Sequence, residues 1–118
     1  MIRIKLTERQ GKAETLLAEG HAGYAEMGQD LVCAGVSCIT IGTNNALDEL
    51  APGTFQSETR EGYLKIRILN LDDPTAQLVL RTAWIQLQTI AESYPEFIKL
   101  KKQLRPGVVE GAGKYLVG

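Results

Sequence analysis

The stretch between residues 20 and 38 holds the residue types that can do chemistry. His21 is the only histidine of the chain, and Cys33 follows it twelve positions later. An imidazole can take the proton of a thiol, and the thiolate is the form that attacks a carbonyl carbon. The pair therefore has the components of a cysteine nucleophile with a general base. Spacing alone still favours packing roles, because free cysteines are often small buried hydrophobes.

A predicted helix from about Leu31 to Leu50 places Cys33 in its first turn. Asp30 is the predicted N-cap, because its carboxylate can accept from free backbone N–H groups at the positive helix end. The same N–H groups would stabilise a thiolate and a neighbouring oxyanion. Ser37 lies one turn after Cys33 on the same face, as a supporting residue or as a small packing residue. Cys38 is predicted to pack in the core.

A glycine-punctuated loop connects the histidine to this helix. Gly20, Gly23 and Gly28 do not form a phosphate-binding pattern, and no lysine follows them as in a Walker motif. Their spacing indicates a loop that opens to admit a peptide and closes over it. Tyr24 and Met27 lie on this loop and are candidates for contact with the peptide.

Two predicted β-hairpins flank the first helix. Alternating apolar and polar residues indicate strands, and the short connections between them imply antiparallel pairing. The predicted strands are residues 2–7, 13–20, 54–60 and 63–69, with turns at 8–12 and at Glu61-Gly62. Residues 97–101 are interpreted as a short last strand, with a fraying helical turn as the alternative.

Apolar residues at helical spacing define the faces of the two predicted helices. The second helix opens after Asp72-Asp73-Pro74, with an aspartate cap and a proline in the first turn, and Pro95 stops it. The first apolar face contains Val32, Val36, Ile39, Ala46, Leu47 and Leu50. The second contains Val79, Leu80, Ala83, Trp84, Leu87, Ile90, Ala91 and Tyr94.

The order β-β-α-β-β-α, with a short last strand, predicts an α+β fold in which two helices cover one face of a sheet. The other face would be open, and small domains commonly close such a face by dimerising, so a homodimer is expected. Residues 1–104 are predicted to form a single domain. Residues 105–118 are rich in glycine and are predicted to form a flexible tail.

Composition excludes several classes of protein. The chain has 118 residues and a net charge of −1, so direct nucleic-acid binding is not expected from bulk charge, although local patches remain open. No signal peptide and no bilayer-spanning apolar run is recognisable, which predicts a cytoplasmic protein without a membrane partner. Two cysteines and one histidine fall short of a four-ligand zinc site, so no metal and no cofactor are expected.

Two runs of the sequence form a distinctive motif. They read Gly20-His21-Ala22-Gly23-Tyr24-Ala25 and Gly28-Gln29-Asp30-Leu31-Val32-Cys33-Ala34-Gly35-Val36-Ser37. This motif resembles that of the ribosomal-processing cysteine protease family called Prp. The resemblance continues in Glu61-Gly62-Tyr63-Leu64-Lys65-Ile66 and at Tyr94-Pro95, and it covers residues 1–103. It implies that Cys33 is the nucleophile and His21 the general base, with no departure at either position.

The resemblance also implies a substrate and a setting. Members of the family are small cytoplasmic homodimers of Firmicutes and related bacteria. They remove a short N-terminal extension, after paired aromatic residues, from the precursor of ribosomal protein L27. A backbone carbonyl or Asp30 would orient the imidazole of His21.

Two alternative functions use the same residues differently. A non-enzymatic module that binds the ribosome or its precursor is compatible with the small size and even charge of the chain. A redox or metal-binding role for Cys33 is disfavoured, because the sequence has no Cys-x-x-Cys pair and too few ligands.

Overall fold

Seven elements follow one another along the computed structural model, which describes residues 1–20 and 29–105, with side chains from residue 31 onward in the second range. They are β1 (Ile2–Arg9), β2 (Lys12–Glu19), α1 (Gln29–Leu50), β3 (Phe55–Arg60), β4 (Tyr63–Ile68), α2 (Pro74–Ser93) and β5 (Ile98–Leu104). The α+β class is confirmed, and so is one antiparallel hairpin on each side of α1. The last strand is also confirmed, and it is longer than predicted.

The five strands form one sheet in the order β3-β4-β2-β1-β5. Three pairs are antiparallel, whereas β1 and β5 run parallel. The predicted turn at 8–12 narrows to two residues, Gln10 and Gly11, with φ of 55° and 78°. Two positive φ values in a two-residue turn match the right-handed twist of the hairpin. Strand pairing therefore extends to Arg9 on one side and from Lys12 on the other.

The core lies between the sheet and the two helices. Ile4, Leu6 and Leu16 are fully buried on β1 and β2, as the alternating pattern predicts. The Asp73 cap on α2 is confirmed: its carboxylate accepts a 2.9 Å hydrogen bond from the backbone N–H of Ala76. The buried residues of α2 are Ala76, Leu80, Ala83, Trp84, Leu87 and Ala91.

Helix α1 begins two residues earlier than predicted, at Gln29. Asp30 therefore lies inside the first helical turn, and the prediction that it is the N-cap is wrong. Cys33 becomes the fifth helical residue, one position beyond the first turn. The glycine and the two asparagines in the second half of α1 do not interrupt it, because the tertiary packing of its buried face outweighs their low propensity.

Part of the predicted buried face of α1 is also wrong. Leu50 is 62% exposed, while Thr40 and Thr43 are buried. Each threonine hydroxyl donates to the carbonyl four residues earlier, at 2.9 Å to Val36 and 2.5 Å to Ile39. The polar groups are thus satisfied within the helix, and the methyl groups can face the core.

The two helices approach closely at Gly35. A Cβ built there would come within 2.5 Å of Cδ1 of Ile90 on α2. Cys38, however, is exposed and lines a groove between the helices, so its predicted burial in the core is wrong.

Arg105, the first residue of the predicted tail, is held against the sheet. Its backbone N–H donates to the carbonyl oxygen of Glu8 at 2.7 Å, and its guanidinium donates to the carboxylate of Glu14 at 2.8 Å. Residues 106–118 lie outside the described residues, so the flexible tail stays a prediction. Neither helix in the described part of the chain has the length and apolarity needed to cross a membrane.

Candidate active site

A cavity of about 240 Å³ opens at one end of the sheet, beside the beginning of α1. Cys33 on α1, Gly20 at the end of β2 and Gly62 in the β3–β4 turn all line it. These residues meet because the antiparallel register pairs Glu19 with Tyr63, which brings the end of β2 to the start of β4. Three distant parts of the sequence therefore share one cavity.

The thiol of Cys33 is free and half-buried in this cavity. Helical side chains lean toward the N-terminus of their helix, so a residue in the second turn covers the first. The first turn carries the backbone N–H groups that have no partner within a helix. The thiol is thus directed toward those donors, although the dipole acts more weakly than at the predicted first-turn position.

Gly20 fixes the exit of β2 beside the cavity. Its φ is +105°, and a Cβ there would overlap the carbonyl oxygen of Met1 and lie 3.3 Å from Cα of Ile2. Its backbone N–H donates to the carbonyl of Gly62 at 3.0 Å. Glycine is therefore required at this position both by backbone conformation and by space.

The wall formed by α1 combines buried and exposed residues. Val36 and Thr40 are buried, whereas Ser37 and Ile41 are exposed, and all four line the cavity. The structure thus brings Ser37 to the same cavity as Cys33, as helical spacing predicted. The hydroxyl of Thr40 donates to the carbonyl of Val36 and presents no free donor, so Ser37 is the polar group of this wall.

The opposite wall contains residues that sequence reasoning did not single out. The guanidinium carbon of Arg60 lies 3.7 Å from the ring centroid of Tyr63, a cation–π geometry. Glu19, exposed at the end of β2, also lines the cavity. The hairpin turn at Glu61-Gly62 was a usable signal, because a two-residue turn places Arg60 directly opposite Tyr63.

Several predicted site residues lie outside the described residues. They are His21, Gly23, Tyr24, Met27 and Gly28, and the side chain of Asp30 is not described either. Their roles as base, gating loop and supporting carboxylate stay predictions. Within residues 1–20 and 29–105, no three histidine, cysteine or acidic side chains cluster as a metal site.

The second thiol has a different environment. Cys38 is exposed in a groove between α1 and α2 that Gly42, Leu78 and Thr82 also line. Five residues along a helix rotate a side chain by roughly 140°, so Cys38 points away from the cavity of Cys33. The two cysteines provide a natural comparison between a thiol in the cavity and one outside it.

The cavity can hold a small part of a peptide. Its volume corresponds to roughly eight water molecules, enough for one or two side chains. A half-buried thiol, a helix beginning beside it and a cavity for a side chain are parts that the cleavage of an acyl bond requires.

Comparison with known proteins places this arrangement in context. The family model described as "Cysteine protease Prp" matches residues 1–99. The chain is 36% identical over 103 residues to a ribosomal processing cysteine protease Prp of Staphylococcus aureus, covering 85% of this chain and 97% of the relative. It is 39% identical over 102 residues to the protein of that name from Mycoplasma pneumoniae, covering 85% and 95%.

Solved structures give the same result. An essential ribosomal processing protease Prp from S. aureus in complex with a substrate peptide superposes with a TM-score of 0.82 at 34% identity, covering 87% of this chain and 100% of that one. The S. aureus protease with a covalently linked product peptide gives a TM-score of 0.79 at 35% identity, with the same coverage.

Proposed function

Because the chain belongs to the Prp family of cysteine proteases, we propose that it removes a short N-terminal extension from the precursor of ribosomal protein L27, cutting after a pair of aromatic residues. The coarser activity, that of a ribosomal processing cysteine protease, rests on the family match and on the similar structures. We place this activity in the cytoplasm, where ribosomal precursors are made.

Cys33 is the proposed nucleophile. Its thiolate sulfur attacks the scissile carbonyl carbon, and the carbonyl oxygen takes up the negative charge near the N–H groups of the first turn of α1. Collapse of this intermediate breaks the C–N bond and leaves an acyl-enzyme thioester. Water then attacks the thioester, releases the acid and restores the thiol. The position of Cys33 in the cavity at the sheet end supports this role.

His21 is the proposed general base. It would take the thiol proton before attack and give a proton to the leaving amine afterwards. Two observations support the proposal: it is the only histidine of the chain, and it is bonded to Gly20, which lines the same cavity as Cys33. Asp30 or a backbone carbonyl would orient the imidazole.

The segment from Gly20 to Gly28 is the proposed gate. Gly20 anchors one end at the cavity through its hydrogen bond to Gly62, and α1 begins one residue after the other end. Gly23, Tyr24 and Met27 lie between these anchors. A segment attached on both sides of the cavity suits closure over an extended peptide, which would exclude water from the reacting atoms.

A homodimer is the proposed assembly, joined through the helices. The groove that contains Cys38 is mostly apolar, and Leu78 beside it is 68% exposed. The open sheet face, where dimerisation was first expected, carries several cations, so two copies would repel each other there. Leu78→Glu should therefore yield a monomer in sedimentation equilibrium, whereas Gln88→Glu on the outer face of α2 should leave a dimer.

The position of Cys33 in a cavity at the sheet end is the observation that carries the proposal. The test is mass spectrometry of a synthetic peptide spanning the aromatic pair, incubated with wild type, Cys33→Ala and Cys38→Ala. We expect one cut after the pair with wild type and Cys38→Ala, and a loss of about a thousandfold or more in rate with Cys33→Ala.

Two other outcomes have defined meanings. Comparable cleavage by folded Cys33→Ala would refute the nucleophile. Absence of cleavage of both the peptide and the full precursor by every variant would favour the alternative of a ribosome-associated binding module, which predicts association with large subunits that does not depend on the thiol.

A further inference from the structure

Six cationic side chains on β1, β4 and β5 lie together on the face of the sheet that points away from the helices, and Arg60 on β3 shares that face. They alternate with core residues such as Ile4 and Ile66, so they point to the opposite side. They are Arg3 and Lys5 on β1, Lys65 and Arg67 on β4, and Lys99 and Lys101 on β5. We call this set the basic face.

The positive charge of the basic face is left largely uncompensated. Five ion pairs occur among residues 1–20 and 29–105, and none includes any of these six side chains. Glu19 and Glu58 are the exposed acids that share this side of the sheet, and the register places them opposite Arg3 and Lys65, so four of the six cations have no acid at a paired position. Glu14 is only 4% exposed, and the guanidinium of Arg105 already binds it. A chain with a net charge of −1 therefore carries a local excess of positive charge.

The strand register places like charges directly beside each other. Arg3 pairs with Lys99, and Lys5 pairs with Lys101, across the parallel β1–β5 ladder. Like charges at paired positions destabilise a sheet. These four cations lie within a patch of roughly 5 by 7 Å, measured between backbone positions. Their mutual repulsion therefore lowers the stability of the folded protein. An anionic ligand that bridges them would remove this repulsion.

The chemistry of the basic face favours a phosphate backbone over other polyanions. Protein interfaces are centred on buried aromatic and apolar side chains. Among the cations of the basic face, β2 contributes a single apolar side chain, that of Leu17. Insertion into a membrane surface needs an apolar face, which is also lacking here. Proteins that bind single-stranded nucleic acid typically present aromatic rings for base stacking, whereas Arg60 already occupies one face of the Tyr63 ring.

We propose that the basic face binds the sugar–phosphate backbone of double-stranded RNA without reading its sequence. The inference goes beyond peptide cleavage and does not depend on the thiol. The cavity of Cys33 opens at the end of the sheet, so a duplex lying across the basic face would leave it accessible to a peptide. Binding would hold the protein beside structured RNA while a neighbouring polypeptide is cut.

The test is fluorescence anisotropy of a labelled, blunt-ended RNA duplex titrated with the full chain. If all six cations contact phosphates, the affinity falls by about a thousandfold between 50 and 200 mM salt. Lys5→Gln combined with Lys101→Gln should weaken binding about tenfold and lower the slope of log affinity against log salt by about two.

A matched control carries the same change in net charge on the helix side. Asn45→Asp combined with Gln88→Glu also removes two positive units of net charge, at exposed positions of α1 and α2. Equal weakening by the two double variants would show that only net charge matters and would overturn the assignment. So would stronger binding to a polyglutamate peptide or to phosphatidylserine vesicles than to the duplex.

The same protein samples are assayed for peptide cleavage in parallel. Cleavage without duplex binding would overturn the basic face and leave the protease intact. Duplex binding without cleavage would support the basic face and count against the protease. Failure of one proposal is therefore separate from failure of the other.

Discussion

The two ends of the sheet are built differently. At the end where β1 turns into β2, charged side chains hold strands, helix and C-terminal segment together; at the other end lies the cavity of Cys33. We call them the ion-pair end and the cavity end. Every ion pair of the described residues is at the ion-pair end: Arg9–Glu14, Arg105–Glu14, Arg81–Glu8, Lys102–Glu8 and Lys12–Asp72.

The ion-pair end fastens α2 to the sheet. The side chain of Gln77 both donates to and accepts from the backbone of Ala13, at 2.8 Å in each case. Glu8 and Glu14 are nearly buried, and each contacts two cations from different elements. The two ends therefore differ in how their elements are joined: ion pairs and the Gln77–Ala13 hydrogen bonds connect elements at one end, whereas the cavity lies at the other.

The largest expected effect concerns the backbone at the cavity end. Gly20→Ala should lower the free energy of unfolding by about 3 kcal/mol or more, because strain at φ +105° adds to overlap with Met1. Gly53→Ala is the control, since Gly53 has φ +80° but open space, and it should cost about 1 kcal/mol. Urea unfolding followed by Trp84 fluorescence measures both; equal losses would contradict the close approach.

The next expected effect is a difference in stability between substitutions of two carboxylates on β2. Glu14→Gln should cost about 2 kcal/mol at the ion-pair end, because Glu14 is buried between Arg9 and Arg105. Glu19→Gln, at the exposed cavity end of the same strand, should change the stability by less than about 0.5 kcal/mol. Urea unfolding of the two variants measures both losses of stability. Equal losses would contradict the difference between the two ends of the sheet.

A third effect appears in activity. Ser37→Leu places a larger side chain in the cavity and should lower kcat/KM for the peptide about tenfold, with little change in stability, since Ser37 is exposed. Thr75→Leu is the control, because it makes the same kind of enlargement at an exposed site of the ion-pair end. The steady-state cleavage rates of the two variants are compared. Unchanged cleavage by Ser37→Leu would exclude this part of the cavity from peptide binding.

The smallest effect depends on pH. The hydrogen bond and charge of Lys12 lower the pKa of Asp72 below its usual value of 3.8. The ionised carboxylate therefore contributes stability above pH 3.8, and this contribution is lost as pH falls through the lowered folded-state pKa. The difference in urea midpoint between wild type and Asp72→Asn should shrink on acidification below pH 4, and added salt should reduce it. A difference in urea midpoint that grows in acid would contradict the Lys12–Asp72 ion pair.

Much of the fold follows from local patterns in the sequence. Strand alternation, the Asp73 cap with Pro74 and the apolar stripe of α2 all predicted what the structure has. These signals work because each one reports a local requirement: one buried face, one capped helix end, one turn. The parallel pairing of β5 with β1 was not predictable in this way, since it joins segments almost a hundred residues apart.

The errors in the predicted buried face of α1 have a physical reason. A pattern of apolar residues does not include threonine, so it cannot place Thr40 and Thr43 on the buried face. Because hydroxyls bonded within the helix can be buried, the true face follows Val32, Val36, Thr40, Thr43 and Leu47. Cys38 falls outside that spacing and is exposed. At the site, the Cys33–Ser37 pairing was predictable, whereas the position of Arg60 and Tyr63 at the cavity depends on the pairing of β2 with β4.

The position of β1 has a consequence for the order in which the protein is made. β1 is synthesised before the other four strands of the sheet, yet one of its two neighbours is β5, which ends at Leu104. Until that residue emerges, one edge of β1 exposes unpaired backbone groups, which are open to association with other chains. The first of the five strands to be synthesised is thus the last to gain both of its neighbours, and the sheet is complete only after Leu104 has emerged.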